Sequence, residues 1–518
     1  MTSLRFRLGL WLLLVALATP LHAQAEQTDR IIVRVAGSMR AALLADAAAS
    51  PQPGARVAAF SAAAGHDVVW LRAMSGGADV LGLPRPMPIA DVQAVAAALA
   101  ALPGVVHAQP DRRMFPTLAP DDPRFAEQWN LQPVSTLGQV NYGIHAPAAW
   151  DITTGGAVAV AVLDTGVLFA HADLAGKLLP GYDFISPDGP GVFQTANDGD
   201  GRDPDASDPG DWVSEEEATL DCEARPSSWH GSHVAGIVAA ATNNGVGVAG
   251  INWAGTILPL RVLGKCGGYT SDIVDAMRWA TGIAVGGVPA NPHPARIINL
   301  SLGTTGACDL ATQEAINDVN ARGAVVVVAA GNEGQDLSVA PSSPATCSGV
   351  VTVAASDRSG NRAAYSNYGA AVAVSAPGGT TGSAILSTLD RGLTVPLEDS
   401  AIGTRIGTSM ATAHVSGAAS LVLSRSPALT REQLIAALTG AGSVTAFPDG
   451  SNCAAGGCGT GIANAPLALG AAAAMPPASS GGGGGAPGAW LVALLLGYGA
   501  ARRLTARRPP TAAPASAP

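Results

Sequence analysis

The stretch "AVAVAVLDTGV", residues 157–167, is an apolar run that ends in a carboxylate at Asp164. Burying an unpaired charge is costly, so an acid at the end of a hydrophobic strand needs an explanation. A turn is one explanation, because Asp-Thr-Gly is favourable turn chemistry after a strand. Pairing of Asp164 with a side chain from elsewhere in the chain is the other. The stretch by itself leaves both open.

Apolar runs of the same kind recur along residues 119–475, separated by segments with helical spacing. The candidate strands read "AVAVAVL", "TILPLRVL", "ARIINLSL", "AVVVVAAG" and "VVTVAAS". They are continuously apolar rather than alternating, which indicates burial on both faces. We therefore predict an α/β domain in which helices cover both faces of a mainly parallel sheet.

Residues 26–118 are predicted to form a separate, smaller unit. Their strand-like and helix-like segments follow the order β-α-β-β-α-β, which is typical of the α+β ferredoxin-like plan. The stretch "RRMFPTLAPDDP" (112–123) comes next and is rich in proline and polar residues. It is predicted to be a linker and a site of cleavage.

Both ends of the chain have the composition of targeting segments. Residues 1–25 carry two arginines ahead of the apolar run "LGLWLLLVALA", so we predict an export signal cleaved after Ala23 or Ala25. Residues 476–488 form a Gly/Pro/Ser linker. Residues 489–518 begin with an apolar run shorter than the roughly 20 residues of a spanning helix, and arginines follow it. A buried helix is one interpretation, but the glycines and arginines favour contact with a membrane.

Composition and charge exclude several classes of protein. Of the 518 residues, 48% are hydrophobic and 13% are charged, which provides a large core and excludes a chain that is mainly disordered. The net charge is −10 and there is no basic stripe. A nucleic-acid partner is therefore not expected.

The cysteines number six, and an even count in an exported chain suits disulfides. Many pairings are possible, and the simplest joins sequence neighbours: Cys222–Cys266, Cys308–Cys347 and Cys453–Cys458. Zinc binding is the alternative, but no Cys-x-x-Cys motif or histidine-rich cluster accompanies these residues.

Three further polar residues stand where chemistry is expected. Reactive groups gather at the carboxyl ends of parallel strands, and Asn332 ends the strand "VVVVAAGNEG" as Asp164 ends its own. His230 opens a helix at "HGSHVAG", and Ser409 enters a helix of small residues at "GTSMATAHVSGAAS". Taken singly, such a serine is usually a helix cap and such a histidine a structural residue. Together they form a pattern.

That pattern resembles the subtilisin-like serine protease family. The blocks "AVAVLDTGV", "HGSHVAG" and "GTSMATAHVSG" follow the Asp, His, Ser order of that family, with "SLG" and "AAGNEG" between the second and third. The resemblance covers about residues 119–475 and implies a subtilisin-like fold, while residues 26–118 resemble the family's propeptide. Two departures, Ala413 where the family has proline and Ser232 where it has threonine, leave the three polar positions intact.

The resemblance also implies a role for each residue. Ser409 would be the nucleophile, His230 the base that takes its proton, and Asp164 the acid that orients the imidazole. Asn332 would donate to the developing oxyanion together with the backbone of Ser409. Residues expected to bind an extended substrate, in a cleft roomy enough for apolar side chains, are Ser301, Leu302, Gly303, Ala330 and Gly331.

The stretch "NDGDGRDPDASDPGDW" (197–212) is strongly acidic. A solvated loop is the simplest interpretation. Alternating acids and glycines, with turns set by two prolines, also suit a hard cation with about six to eight oxygen ligands, and similar loops in the family bind calcium. The expected cofactor is therefore Ca²⁺, with ligands from Asp198, Asp200, Asp205, Asp211 and the Arg202 carbonyl.

These observations predict a secreted, disulfide-bonded serine endopeptidase made as a self-processing zymogen. Cleavage is expected near Leu118 or Ala119. The expected partners are protein or peptide substrates and the chain's own propeptide as an intramolecular inhibitor. Transient membrane contact is also expected through the tail, whose linker, apolar segment and basic end resemble a GlyGly-type C-terminal sorting signal.

Two other functions compete with this one. "DTG" also occurs in aspartic proteases, but those need two carboxylates that share a proton, and this chain has one "DTG" and no "DSG". A catalytically inactive relative that serves as an adhesin or scaffold is the second alternative. It is disfavoured because all four catalytic positions carry competent residues.

Overall fold

The computed structural model describes residues 27–37, 55–112, 118–134, 141–220, 222–453 and 456–476. The chain divides into two units with the boundary between Ala119 and Pro120, one residue after the predicted one. The predicted export signal and the C-terminal tail lie outside the described residues. Within the described ranges, no helix is long and apolar enough to cross a membrane.

The first unit is a four-stranded antiparallel sheet with two described helices. Its strands have the order β2-β3-β1-β4, and the buried side chains of β1 pack with those of the helices in one apolar cluster. Along the chain the described elements run β-α-β-β-α-β: β1 (Gln27–Val35), α1 (Ala55–Ala64), β2 (Val69–Ala73), β3 (Asp79–Pro88), α2 (Ile89–Ala100) and β4 (Val105–Pro110).

The second unit is built on a nine-stranded sheet. Seven adjacent strands, in the order β13-β12-β10-β8-β5-β7-β6, pair in parallel, and β16 and β17 complete the other edge. This confirms the predicted mainly parallel sheet. The bounds are β5 (Ala159–Asp164), β6 (Tyr182–Asp183), β7 (Thr256–Arg261), β8 (Ile297–Leu300), β10 (Val325–Ala329), β12 (Val351–Ser356), β13 (Val372–Pro377), β16 (Val444–Thr445) and β17 (Ile462–Ala463).

Helices cover both faces of this sheet, as the continuous apolar strands predicted. Alternate residues of β5 enter different cores: Val160 and Val162 face one, while Ala161 and Leu163 face the other. The first core is closed by α3 (Ala146–Trp150), α4 (His230–Ala239), α7 (Thr408–Arg425), α8 (Arg431–Thr439) and α9 (Ala465–Ala474), and the second by α5 (Thr270–Ala280) and α6 (Leu310–Ala321).

Small elements complete the second unit. Two antiparallel pairs lie outside the large sheet: β9 (Thr304–Thr305) with β11 (Ser342–Ser343), and β14 (Ile385–Leu389) with β15 (Ala401–Arg405). Single 3₁₀ turns occur at Phe125–Glu127, Trp129–Leu131 and Ala172–Leu174, with a further one at Ser75–Gly77 in the first unit.

All six cysteines form disulfides between sequence neighbours. The pairs are Cys222–Cys266, Cys308–Cys347 and Cys453–Cys458. The first joins the segment after the acidic loop to the loop after β7. The second joins the segment after β9 to the segment before β12, and the third lies within the segment before β17.

The order of strands reverses beside β5, and this locates the functional crevice. From β5 the chain forms β6 at one edge of the sheet and then β7 directly beside β5. It then crosses to β8 on the other side of β5 and continues outward through β10, β12 and β13. In open parallel sheets, ligands bind at the carboxyl ends of the strands where the order reverses. At these ends β5 terminates in Asp164, Ser301 directly follows β8, and Asn332 lies three residues after β10.

Candidate active site

Asp164 is paired, which decides between the two interpretations of the opening stretch. Its side chain is 1% exposed. One carboxylate oxygen, Oδ1, accepts the Thr165 amide at 2.8 Å and lies 2.7 Å from Nδ1 of His230. The acid at the strand end is therefore held by a histidine that follows 66 positions later.

His230 is the first residue of α4, and its surroundings hold the ring against Asp164. Trp229 precedes it in a left-handed backbone conformation, and the buried Trp229 indole donates to the Gly392 carbonyl at 2.8 Å. Because the Asp164 carboxylate accepts a hydrogen bond from Nδ1, Nδ1 is the nitrogen that carries the proton in the neutral ring. Nε2 is left with a free lone pair and can accept a proton.

The pKa of His230 reflects two opposing effects. Burial lowers it, but the negative charge of Asp164 and the hydrogen bond to that carboxylate outweigh burial and raise the pKa above its ordinary value. The positive charge of Arg405 opposes the increase. Asp164 thus stabilises the protonated form of the His230 ring.

Ser409 is the second residue of α7 and reaches the end of β8. Its hydroxyl donates to the Ser301 carbonyl at 3.3 Å, and the Ser301 hydroxyl donates to the Ser409 carbonyl at 3.1 Å. In the described part of the chain no hydrogen bond joins Ser409 to His230. Such bonds are often long in a protein without substrate and tighten when one binds.

Asn332 follows β10 and is exposed, with its amide orientation set by one neighbour. Its carbonyl oxygen accepts both the backbone amide of Thr408 at 2.9 Å and the Thr408 hydroxyl at 3.0 Å. A backbone N–H requires an acceptor, so the oxygen faces Thr408 and the side-chain NH₂ is left to donate elsewhere. Thr408 is a residue that the sequence reasoning missed, and its position directly before Ser409 is the signal that could have identified it.

Ser409, Asn332 and Thr408 line a cavity of about 350 Å³. Four of the five predicted substrate-binding residues line it: Ser301, Leu302, Gly303 and Gly331. The paired strands β9 and β11 contribute further lining. Lining residues that were not predicted are Thr304, Thr305, Ala329, Glu333, Ser342 and Thr408.

The prediction for Ala330 is wrong. Its side chain is fully buried in the core on the α5–α6 face of the sheet, and its amide donates to the Val353 carbonyl. Successive residues of an extended segment point to opposite sides. Ala329 and Gly331 therefore line the cavity, and Ala330 between them points away.

The predicted calcium ligands are not gathered into one site. Asp198 forms an ion pair with Arg261, and the Asp205 carboxylate accepts the Ser207 amide at 2.9 Å. The Asp211 carboxylate accepts the hydroxyl of Ser228 at 2.9 Å and its backbone amide.

The side chain of Arg202 points toward α5, where it forms ion pairs with Asp272 at 2.6 Å and Asp275 at 2.7 Å. The amide of Asp200 donates to Asp198 at 3.2 Å. Across the described ranges, no group of three or more acidic, histidine or cysteine side chains is arranged to hold a metal ion. The ligand set as predicted is therefore corrected for Asp198 and Asp211, because Arg261 pairs with the first and Ser228 and Arg225 bind the second.

Comparison with known proteins gives the same family by two routes. A family model described as "Subtilase family" matches residues 155–456, which is more than half of the chain. A solved structure described as "Proteases from Pseudoalteromonas arctica PAMC 21717" is 46% identical, with a TM-score of 0.62. That alignment covers 68% of this chain and 100% of the other.

Two curated relatives have 44% identity to the chain. The "Extracellular protease" of Xanthomonas campestris pv. campestris matches over 402 residues, which is 78% of this chain and 65% of that protein. The "Extracellular basic protease" of Dichelobacter nodosus matches over 370 residues, 70% of this chain and 57% of that protein. The chain thus spans less than two thirds of the length of either relative.

We predict that Asp164→Asn lowers the pKa of His230 to below its ordinary value. The substitution removes the charge that raises this pKa and leaves the burial that lowers it. The histidine resonances, followed by NMR as pH is varied, measure the change. Asp188→Asn is the matched control, since Asp188 accepts hydrogen bonds from Thr195. An unchanged His230 pKa in Asp164→Asn would contradict the electrostatic account.

Proposed function

The chain belongs to the subtilase family, and on that premise we propose that it is a secreted serine endopeptidase. It hydrolyses peptide bonds of proteins through an acyl-enzyme intermediate and is made as a self-processing precursor. The observation that supports the proposal is the 2.7 Å contact between buried Asp164 and His230, together with the cavity that Ser409 and Asn332 line.

In this mechanism the Ser409 hydroxyl is the nucleophile. Its proton passes to Nε2 of His230 as the oxygen attacks the substrate carbonyl, and the same proton is later given to the leaving amine. Asp164 accepts a hydrogen bond from the Nδ1–H group throughout and stabilises the imidazolium that forms. Activity is lost on the acid side, where His230 already holds a proton and cannot act as a base.

The oxyanion that forms in this step needs donors, and two are proposed. Asn332 has its NH₂ free because its oxygen is held by Thr408. The backbone N–H of Ser409 belongs to the first turn of α7, whose amide groups have no partner within the helix. Removing one donor of this kind is known to lower kcat by about 10²–10³-fold.

The substrate is proposed to bind as an added strand. Ser301, Leu302 and Gly303 continue β8 beyond the sheet and line the cavity, so their backbone groups can pair with an extended peptide. The neighbouring cavity has room for an apolar side chain. Proteins and peptides are therefore the proposed substrates.

Export and maturation form the remaining part of the proposal. The two relatives with 44% identity are each named as extracellular, in agreement with an export signal at residues 1–25. Residues 26–118 are proposed to inhibit the second unit until cleavage near Leu118 or Ala119. The tail at 489–518 is proposed to act as a transient membrane anchor, on the sequence resemblance alone.

Calcium is proposed to bind as a structural ion that takes no part in the bond-breaking steps. Burial raises the pKa of Asp203, and repulsion from Asp200, Asp205 and Asp198 raises it further. Carboxylates that repel one another in a loop are relieved by a divalent cation. Asp200 and Asp205, which form no ion pair among the described residues, are therefore proposed to contribute to holding the ion, and it would stabilise the loop.

We predict that a fluorophosphonate probe labels the mature protein at Ser409. The probe reacts with a serine that an adjacent base activates, so Ser409→Ala is expected to abolish labelling. Mass spectrometry of the labelled peptide identifies the site. Ser424→Ala, on the same helix, is the control and should label normally. A folded, processed chain that fails to label would favour the inactive scaffold.

We predict that Ser409→Ala also accumulates an uncut precursor. If the chain cleaves itself, loss of the nucleophile stops maturation, and the secreted product stays heavier by roughly residues 26–118. Intact-mass measurement and sequencing of both ends give the result. Normal maturation of this variant in a host without helper proteases would refute self-processing.

We predict that EDTA lowers the thermal unfolding temperature of the mature protein and that Ca²⁺ restores it. Asp200→Asn is expected to reduce the part of the Tm that depends on calcium, whereas Asp188→Asn, in a neighbouring loop, is expected to leave it unchanged. Differential scanning calorimetry on inhibited protein separates stability from self-digestion. A Tm that is insensitive to EDTA would exclude the calcium site.

A further inference from the structure

The hydroxyl of Thr165 joins the two segments that carry the acid and the base. Thr165 directly follows Asp164, and its amide donates to that carboxylate at 2.8 Å. Its hydroxyl oxygen accepts the backbone N–H of Gly231 at 3.0 Å, and Gly231 directly follows His230. One side chain thus bridges the residues next to both members of the pair.

Asp208 sets the direction of that hydroxyl. The Thr165 hydroxyl donates to Oδ2 of Asp208 at 2.6 Å, which turns its lone pairs toward Gly231. The carboxylate is itself fixed, because its other oxygen accepts the Gly210 amide at 2.9 Å and the Asp208 backbone N–H donates to Val167 at 3.0 Å. Asp208 is 3% exposed, so water does not replace it easily.

The two segments also touch with no spare room. A Cβ added to Gly231 would lie 2.1 Å from the Gly166 carbonyl oxygen and 3.1 Å from the Cβ of Asp164. Interiors packed this closely transmit small displacements. A change in the Thr165 bridge is therefore expected to shift the His230 ring relative to Asp164.

We propose that Asp208 is a positioning residue for the proposed hydrolysis, acting through Thr165 to hold the backbone of His230 in place against that of Asp164. The inference rests on the proposed function and adds a residue to it. Asp208 touches no reacting atom, and its effect is on geometry. Displacement of a catalytic group by about 1 Å can cost as much as 10²-fold in rate.

The charges that face Asp208 set the conditions of the test. Burial and repulsion from Asp211 raise its pKa, the hydrogen bonds from Thr165 and Gly210 and the positive charge of Arg261 lower it, and the resulting pKa is about 7. Assays at pH 9 therefore compare an ionised Asp208 with its neutral amide. Asp208→Asn keeps the shape but has one acceptor oxygen where the carboxylate has two.

The experiment measures kcat and KM for Asp208→Asn, Thr165→Val and the double variant, per active site titrated with a fluorophosphonate. Each single variant is expected to lower kcat about tenfold and to change KM by less than about twofold. The double variant is expected to match the worse single one, because both break the same bridge. Independent effects would multiply to about 100-fold.

Two further variants separate positioning from loss of stability. Thr165→Ser keeps the hydroxyl and is expected to restore kcat to within about twofold of the parent. Asp188→Asn removes a similar carboxylate, which accepts the Thr195 hydroxyl at 2.6 Å and the Thr195 amide at 2.8 Å, and is expected to leave kcat unchanged. Titration counts competent sites, so a misfolded fraction does not lower kcat.

Several results would overturn the inference. These are an unchanged kcat in Asp208→Asn, a multiplicative double variant, a change confined to KM, or an equal loss in Asp188→Asn. An active parent with any of these results refutes the positioning role and leaves the proposed function standing. A parent that neither labels nor cleaves refutes the proposed function, and the inference with it.

Discussion

The hydrogen bond between Asp164 and His230 is the constraint on which the rest of the second unit depends. A carboxylate that is 1% exposed at the end of a central strand is costly unless it is paired. The imidazole therefore has to begin a helix at this strand end, and its pKa is raised as a consequence. The start of α4 at His230, the buried Trp229 before it and the close approach of Gly231 to Gly166 surround this pair.

The sheet brings the other groups to the same crevice. Parallel strands end at the same edge, so Ser301 after β8 and Asn332 after β10 come together although their strands are separated by a helix. The start of α7 lies across both, joined to Ser301 through Ser409 and to Asn332 through Thr408. Two hydrogen-bonded contacts thus fix the serine relative to the backbone along which a substrate is proposed to bind.

The acidic loop is used largely by the protein itself. Asp198 pairs with Arg261 on β7, and Arg202 pairs with Asp272 on α5, while Asp208 accepts the hydroxyl next to Asp164. The loop is therefore tied to β7, to α5 and to the residue next to Asp164. The carboxylates that remain near Asp203 are the part for which a cation is proposed.

The sequence by itself determined the parallel α/β sheet, the strand that ends at Asp164 and the ordered motifs that carry His230, Asn332 and Ser409. Each of these follows from local periodicity or from ordered motifs that keep their meaning in isolation. Tertiary structure alone decided that Ala330 points away from the cavity, that Asp211 is bound by Ser228, and that Asp208 reaches Thr165. The physical reason is that a polar side chain bonds to the partner that the folded backbone brings nearest to it. The distance between two residues in the folded protein cannot be read from their separation along the chain.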